Sequence, residues 1–272
     1  PKDPYQMVAD RVEQRLRSSS HEYAKKWLKF GVSRDTTKRQ TMTIVYGSTR
    51  QSCKEYTIEW FQDMLMRPGV NNPFSEVFKP CIYLSDLIWD SIGEVVSSAR
   101  VCMDSLREVA RICMRHGVTP MWSAPSGFLV KQLYEKQSNY EVKTSIGDKI
   151  RRHRLQYGRG EASPRKHING ICPNFIHALD AALKAFVVCM SARAGLYQFA
   201  MVHDSYATTA KRSGVLATAI RQCTVEMFTP NLLEQFRREI ELLLPVGVEV
   251  PDHPPLGNLD ITQVMKSDYY FS

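Results

Sequence analysis

The sequence predicts an α+β fold, mostly helical, with a small antiparallel sheet. Three observations carry that expectation. Apolar residues keep a helical period over residues 84–116 and again over 174–194, and both runs are too long for strands. β-Prone residues flank a polar turn at His203-Asp204-Ser205, which reads as a hairpin. The 272 residues are 43% hydrophobic and 24% charged, ordinary for a globular chain of one large or two moderate domains.

Taken in order, Asp3-Pro4 opens a helix over residues 5–17, with Pro4 in the first turn and Val8, Val12 and Leu16 four apart. A serine break follows, then a segment carrying Trp27 and Phe30 before Gly31. Residues 34–46 read as a second helix, stopped by Gly47. Trp60, Phe61, Met64 and Leu65 form a helical apolar cluster that Pro68-Gly69 ends. Leu87, Ile88, Ile92, Val95, Val96, Ala99, Met103 and Leu106 predict one long core helix over 84–116, with Gly117 as its stop. Residues 122–134 read as a short hairpin turning at Pro125 to Gly127, and 141–170 as a long basic loop. Pro173 is expected just outside a helix over 174–194, whose apolar face includes Phe175, Leu179, Leu183 and Phe186. The hairpin over 197–209 and helices over 216–228 and 231–244 complete the chain, which has no internal repeat.

Lys and Arg outnumber Asp and Glu by 36 to 28, giving a formal charge of +8 and a pI near 9.1, which favours a polyanionic partner. The seven cysteines include no CxxC pair, so they read as buried free thiols rather than a disulfide framework or a zinc site. The chain starts at Pro1 with no apolar leader after it, and is expected to be processed or cut from something longer. No uninterrupted apolar run approaches the roughly 20 residues of a membrane span, so no membrane partner is expected.

Three stretches carry chemistry. Arg34, Lys38, Met42 and Tyr46 recur every fourth residue, which stacks them along one helix face. With Arg39 beside them, that face offers cations for phosphates at one end and an aromatic platform for a base or sugar at the other. It reads equally as a solvated stripe. Lys149, Arg151, Arg152 and Arg154, then Arg165 and Lys166, make a basic segment with Tyr157 interleaved. That composition suits nucleic-acid contact, the alternative being a solvated surface loop. Asp204 sits at a hairpin tip, where a carboxylate suits Mg2+. A plain turn aspartate is the alternative.

Together these motifs resemble the single-subunit, bacteriophage-type RNA polymerases, a family also found in mitochondria. Arg34…Lys38-Arg39…Tyr46-Gly47-Ser48 looks like the family's fingers helix, motif B. Val202-His203-Asp204-Ser205 resembles motif C, the palm hairpin with a metal-binding aspartate. Asn174-Phe175-Ile176-His177-Ala178-Leu179-Asp180 is similar to the family's Asn-Phe-x-His-Ser-x-Asp segment, with Ala178 in place of the serine. Asp3-Pro4-Tyr5, Leu87-Ile88-Trp89 and the Ser267-Asp268-Tyr269-Tyr270-Phe271 terminus match in order, so the resemblance spans essentially the whole chain.

The resemblance implies that Asp204 ligates catalytic Mg2+, that Arg34 and Lys38 contact the incoming ribonucleoside triphosphate, and that Tyr46 checks the sugar. It also implies that His177 contacts the ribose 2′-hydroxyl side and that residues 141–170 sit where the family reads its promoter. DNA template and RNA product would be the partners. The compartment would be the host cytoplasm for a phage enzyme or the mitochondrion for an organellar one. The family's upstream Asp-Gly…Gly-Leu-Gln-His motif, with the second palm aspartate, does not occur in this sequence. The expected piece is therefore the C-terminal portion: fingers to about residue 176, then the second half of the palm, completed by the missing N-terminal part. A family A DNA polymerase fragment is the alternative enzyme, disfavoured because Ser205 stands where those enzymes generally carry Glu. A non-catalytic nucleic-acid-binding remnant is the alternative outside enzymes.

Overall fold

The computed structural model describes residues 3–147, 149–268 and 270. Mostly helical, with small antiparallel ribbons, it divides into two compact units, Pro1–Asp104 and Ser105–Ser272.

In the first unit, α1 (Pro4–Ser18) starts at Asp3, whose side chain accepts from the Tyr5 amide at 2.9 Å. Its Val8, Val12 and Leu16 are buried, as their spacing requires. Short α2 (Glu22–Phe30) places Trp27 at the centre of an aromatic cluster, with ring centroids 4.9 Å from Phe61 and 4.6 Å from Phe74. Helices α3 (Arg34–Thr43), α4 (Arg50–Leu65) and α5 (Phe78–Val95) complete the unit around Cys81, Leu84, Ile88 and Ile92.

The single helix expected over 84–116 is two helices. α5 ends at Val95, Val96 leaves helical geometry at φ −117° and ψ 42°, and α6 (Ser97–Arg115) restarts at once. Consecutive β-branched residues followed by two serines weaken a helix there, while the apolar period runs through the break unchanged.

In the second unit, β1 (Met121–Ser123) and β2 (Leu129–Lys131) form the expected short hairpin, with Gly127 at φ 82° in its turn. The stretch expected as a basic loop is instead mostly a long antiparallel ribbon, β3 (Glu135–Ile146) and β4 (Lys149–Ala162); Asp148 lies outside the described residues. Every residue of β4 is exposed. With no buried face, apolar alternation was never required of it, which is why the strand was hidden in a run of charge.

Helix α7 (Pro164–Arg193) begins ten residues earlier than expected. Ser163-Pro164 supplies its start, Arg165 and Lys166 lie in its first turn, and Pro173 lies inside it. By length and composition alone this helix is apolar enough to cross a bilayer, a window that counting uninterrupted apolar runs missed. It carries Asp180 paired with Lys184 at 3.4 Å, and it packs Val187 with Leu216, Ile220 and Cys223 of α8 (Ser213–Phe228). A third ribbon, β5 (Ala200–Val202) and β6 (Ser205–Ala207), joins that cluster through Met201 and Tyr206. Among the described residues neither of its outer edges pairs with another strand. Helix α9 (Leu232–Leu243) packs Phe236 against Trp122 and Phe175. Of the terminal motif, Tyr269, Phe271 and Ser272 lie outside the described residues.

All seven cysteines are free thiols, but only five are buried; Cys102 is half-buried and Cys189 exposed. Burial pushes the Cys53 and Cys81 thiols up to about 12. Alkylation of the native chain should therefore label Cys189 and spare Cys53 and Cys81. Peptide mass spectrometry reads this directly, and modification of Cys53 as fast as Cys189 would contradict the packing.

Candidate functional site

The residues singled out from the sequence fall into both units: Arg34, Lys38, Arg39, Met42, Tyr46 and Gly47 in the first, His177, Asp204 and the basic segment in the second.

Helix α3 is unusual in what it buries. Thr36, Thr37, Gln40 and Thr41 face inward, a polar side where most helices turn an apolar one. Thr37 donates to the Tyr5 carbonyl at 2.8 Å, and Gln40 donates to Thr57 at 3.1 Å. Directional bonds of this kind fix how the helix is rotated, more tightly than apolar contact does. They turn Lys38, Met42 and Tyr46 outward, with Met42 44% and Tyr46 40% exposed. The α-helix stops at Thr43, and a 3-10 turn over Ile44–Tyr46 carries the tyrosine. Gly47 follows at φ 80°, the left-handed stop its position suggested.

The cations are not equivalent. Arg34 pairs with Asp3 at 2.5 Å and lies 5.0 Å from the Tyr5 ring centroid. That guanidinium, donating to Asp3, holds the carboxyl below its usual range. Arg39 pairs with Glu59 at 2.5 Å and stacks 4.1 Å over Tyr56. Lys38 is exposed and makes no hydrogen bond or ion pair with any described residue. Of the three, it is the one whose charge is not already spoken for.

In the second unit, Asp204 is exposed at the two-residue tip of the β5–β6 ribbon, beside a cavity of about 400 Å3 that includes Tyr206, Thr208 and Leu216. His203 precedes it at φ 51°, the one described non-glycine residue with positive φ, a conformation His tolerates better than most. Burial, then the carboxylates of Asp180 and Asp204, push the Tyr206 phenol up to about 12. No group of three or more His, Cys, Asp or Glu side chains able to hold a metal occurs among the described residues. Mg2+ is commonly held by one or two carboxylates together with substrate phosphates. Asp204 offers one exposed carboxylate of that kind.

His177 is exposed on α7 and lines a larger cavity of about 680 Å3 with Gln132, Tyr134, Asn174 and Ala178. Ala178, Ala181 and Ala185 are small enough to leave that space open along the helix. Sequence reasoning found His177 but missed Tyr134 and Gln132, which reach the cavity from another element. No spacing rule links positions so far apart.

The basic residues of β4 divide between two faces, since side chains alternate along a strand. Arg151 pairs across from Thr144 and shares its face with His153, Leu155 and Tyr157, whose ring lies 5.9 Å from that of Tyr140. Arg152 and Arg154 take the other face, opposite Lys143 and Glu141.

A family model described as DNA-dependent RNA polymerase matches residues 1–246. The DNA-directed RNA polymerase of Enterobacteria phage T3 is 27% identical, over 96% of this chain and 32% of its own length. The mitochondrial DNA-directed RNA polymerase 1 of Arabidopsis thaliana is 27% identical over 100% of this chain and 28% of its own. The DNA-directed RNA polymerase 2A of Nicotiana tabacum is 30% identical, over 89% of this chain and 70% of its own. The chain thus spans about a third of the phage relative it matches.

Proposed function

The chain belongs to the DNA-dependent RNA polymerase family, and from that premise we propose that it is the C-terminal part of a template-directed nucleotidyltransferase using ribonucleoside triphosphates. In this reading residues 1–176 are fingers and 177–272 the later half of the palm. DNA template, promoter and RNA product are its partners, and the rest of the polymerase completes it. Relatives from phages and from mitochondria make the host cytoplasm and the organelle the two compartments it allows.

The observation that carries the reading is the outward side of α3. A helix held by buried polar bonds presents Lys38, without a partner among the described residues, and, two turns on, the exposed Tyr46 ring. Lys38 supplies the positive charge for a triphosphate, and Arg34 would reach the phosphates by exchanging Asp3 for them. Tyr46 is then placed at the sugar, and His177 contacts the ribose side. Asp204 contributes one carboxylate to Mg2+, which when bound neutralises charge on the reacting phosphoryl oxygens.

Tyr46→Phe keeps the ring and deletes the hydroxyl. In the completed enzyme it should narrow the ribo-over-deoxy preference in kcat/KM by about three- to tenfold, the worth of one hydrogen bond, while ribonucleotide use is largely kept. An unchanged ratio removes the sugar-checking role. The β3–β4 ribbon is assigned to nucleic-acid contact. Neutralising Arg151, Arg152 and Arg154 should flatten the dependence of log K on log salt by up to about 0.9 per lost duplex contact. An unchanged slope would return the segment to an ordinary solvated hairpin.

A further inference from the structure

An isolated two-stranded ribbon is marginal in water, so β3–β4 depends on how its root is held. The root is built with care. The Ser163 amide donates to the Tyr134 carbonyl at 2.7 Å, closing the ribbon at its base. His167 is buried there, with Nδ1 2.8 Å from the Ser163 carbonyl and Nε2 3.2 Å from that of Gln132. The Tyr134 ring stands edge-on to His167, centroids 5.4 Å apart, and runs along α7. A Cβ at Gly170 would lie 2.8 Å from that ring, so glycine is what lets the ring lie so close. At its far end the Tyr134 hydroxyl accepts a hydrogen bond from Asn174 Nδ2 at 2.9 Å.

Pro173 falls between these contacts. An interior proline removes a helical hydrogen bond and crowds the preceding turn, so a helix yields most readily there. His167 and Gly170 precede Pro173, and Asn174 follows it. One side chain from the ribbon's root thus splints the helix across its weakest point. Residues 167, 170, 174 and 177 recur on one side of an α-helix, so the next position along the splinted side is His177.

We infer that Tyr134 is a positioning residue that couples the basic ribbon to His177, transmitting displacement of the ribbon across Pro173 into the orientation of the helix segment bearing that histidine. This rests on the nucleic-acid reading of the ribbon. The physical basis is a hydroxyl–amide bond and a ring contact that bracket the helix at an interior proline. Tyr134→Phe removes the bond to Asn174 and keeps the ring against His167 and Gly170. Gly170→Ala keeps the bond-forming groups and displaces the ring.

The test follows histidine imidazole signals by NMR while a mixed-sequence duplex DNA is titrated into the chain. His153, on the ribbon itself, reports binding, and His177 reports the coupling. In the unsubstituted chain both signals should shift with one midpoint. In Tyr134→Phe the His153 shift should persist with the same midpoint while the His177 shift falls by more than half; Gly170→Ala should do likewise. A His177 shift unchanged in both variants, with His153 still responding, overturns the coupling and leaves the ribbon's role standing. A His153 signal that never moves overturns the ribbon's role, and the coupling with it.

Discussion

Trp27→Ala is expected to destabilise the first unit by about 3–5 kcal/mol, the usual cost of emptying a buried aromatic site. Trp27 is fully buried, with Phe30, Phe61 and Phe74 ring centroids 4.6 to 5.7 Å away. Its indole Nε1 also donates to the Pro80 carbonyl at 3.1 Å, which ties α2 to the start of α5. Truncation therefore opens a cavity between three rings and removes that hydrogen bond at once. Against a total stability of about 5–15 kcal/mol that loss is a large fraction. Guanidinium unfolding followed by far-ultraviolet circular dichroism measures it. Trp27→Phe, which keeps most of the volume and loses the bond, should fall between. A loss below about 1 kcal/mol for Trp27→Ala would mean that the rings do not form the core, since surface substitutions cost that little.

Lys38→Ala should lower kcat/KM of the completed enzyme about 100-fold or more, for ribo- and deoxyribonucleotides alike, as when one preorganised charge donor is deleted from a transition state. The direction follows from pairing. Arg34 and Arg39 are engaged with Asp3 and Glu59, whereas Lys38 has no described partner, so its loss costs the fold little. Stability should accordingly change by less than about 0.5 kcal/mol. Arg39→Ala, whose charge is already met by the half-exposed Glu59, should impair nucleotide use less than Lys38→Ala does. Steady-state kinetics with both sugars separates them, and a Lys38→Ala enzyme impaired with only one sugar would contradict a phosphate role.

What the sequence revealed tracks what burial enforces. Val8, Val12 and Leu16 had to be spaced four apart to bury one stripe, and Gly47 had to stop a helix at positive φ, so those elements were legible. The break at Val96 was not, because Val95, Val96 and Ala99 keep the helical period across it. Ser97-Ser98 after two β-branched residues was the available signal. At α7 the rule that proline favours helix starts was right in kind but applied to Pro173, when it is Pro164 that holds the first turn. The β3–β4 ribbon was hidden because neither face is buried. In the candidate site, exposure of Lys38 and Tyr46 followed from spacing. The engagement of Arg34 by Asp3 did not, since it joins positions 31 apart in the chain.

Primer extension is the most direct test that this chain carries one half of a two-carboxylate catalytic site. The 272-residue chain, supplied with Mg2+, an RNA primer on a DNA template and ribonucleoside triphosphates, should make no product. One carboxylate at Asp204 cannot hold two metals in place. Adding the upstream palm segment, in cis or as a second chain, should restore synthesis, and Asp204→Asn in the restored enzyme should abolish it. Robust Mg2+-dependent extension by the isolated chain, or synthesis that survives Asp204→Asn, would contradict it.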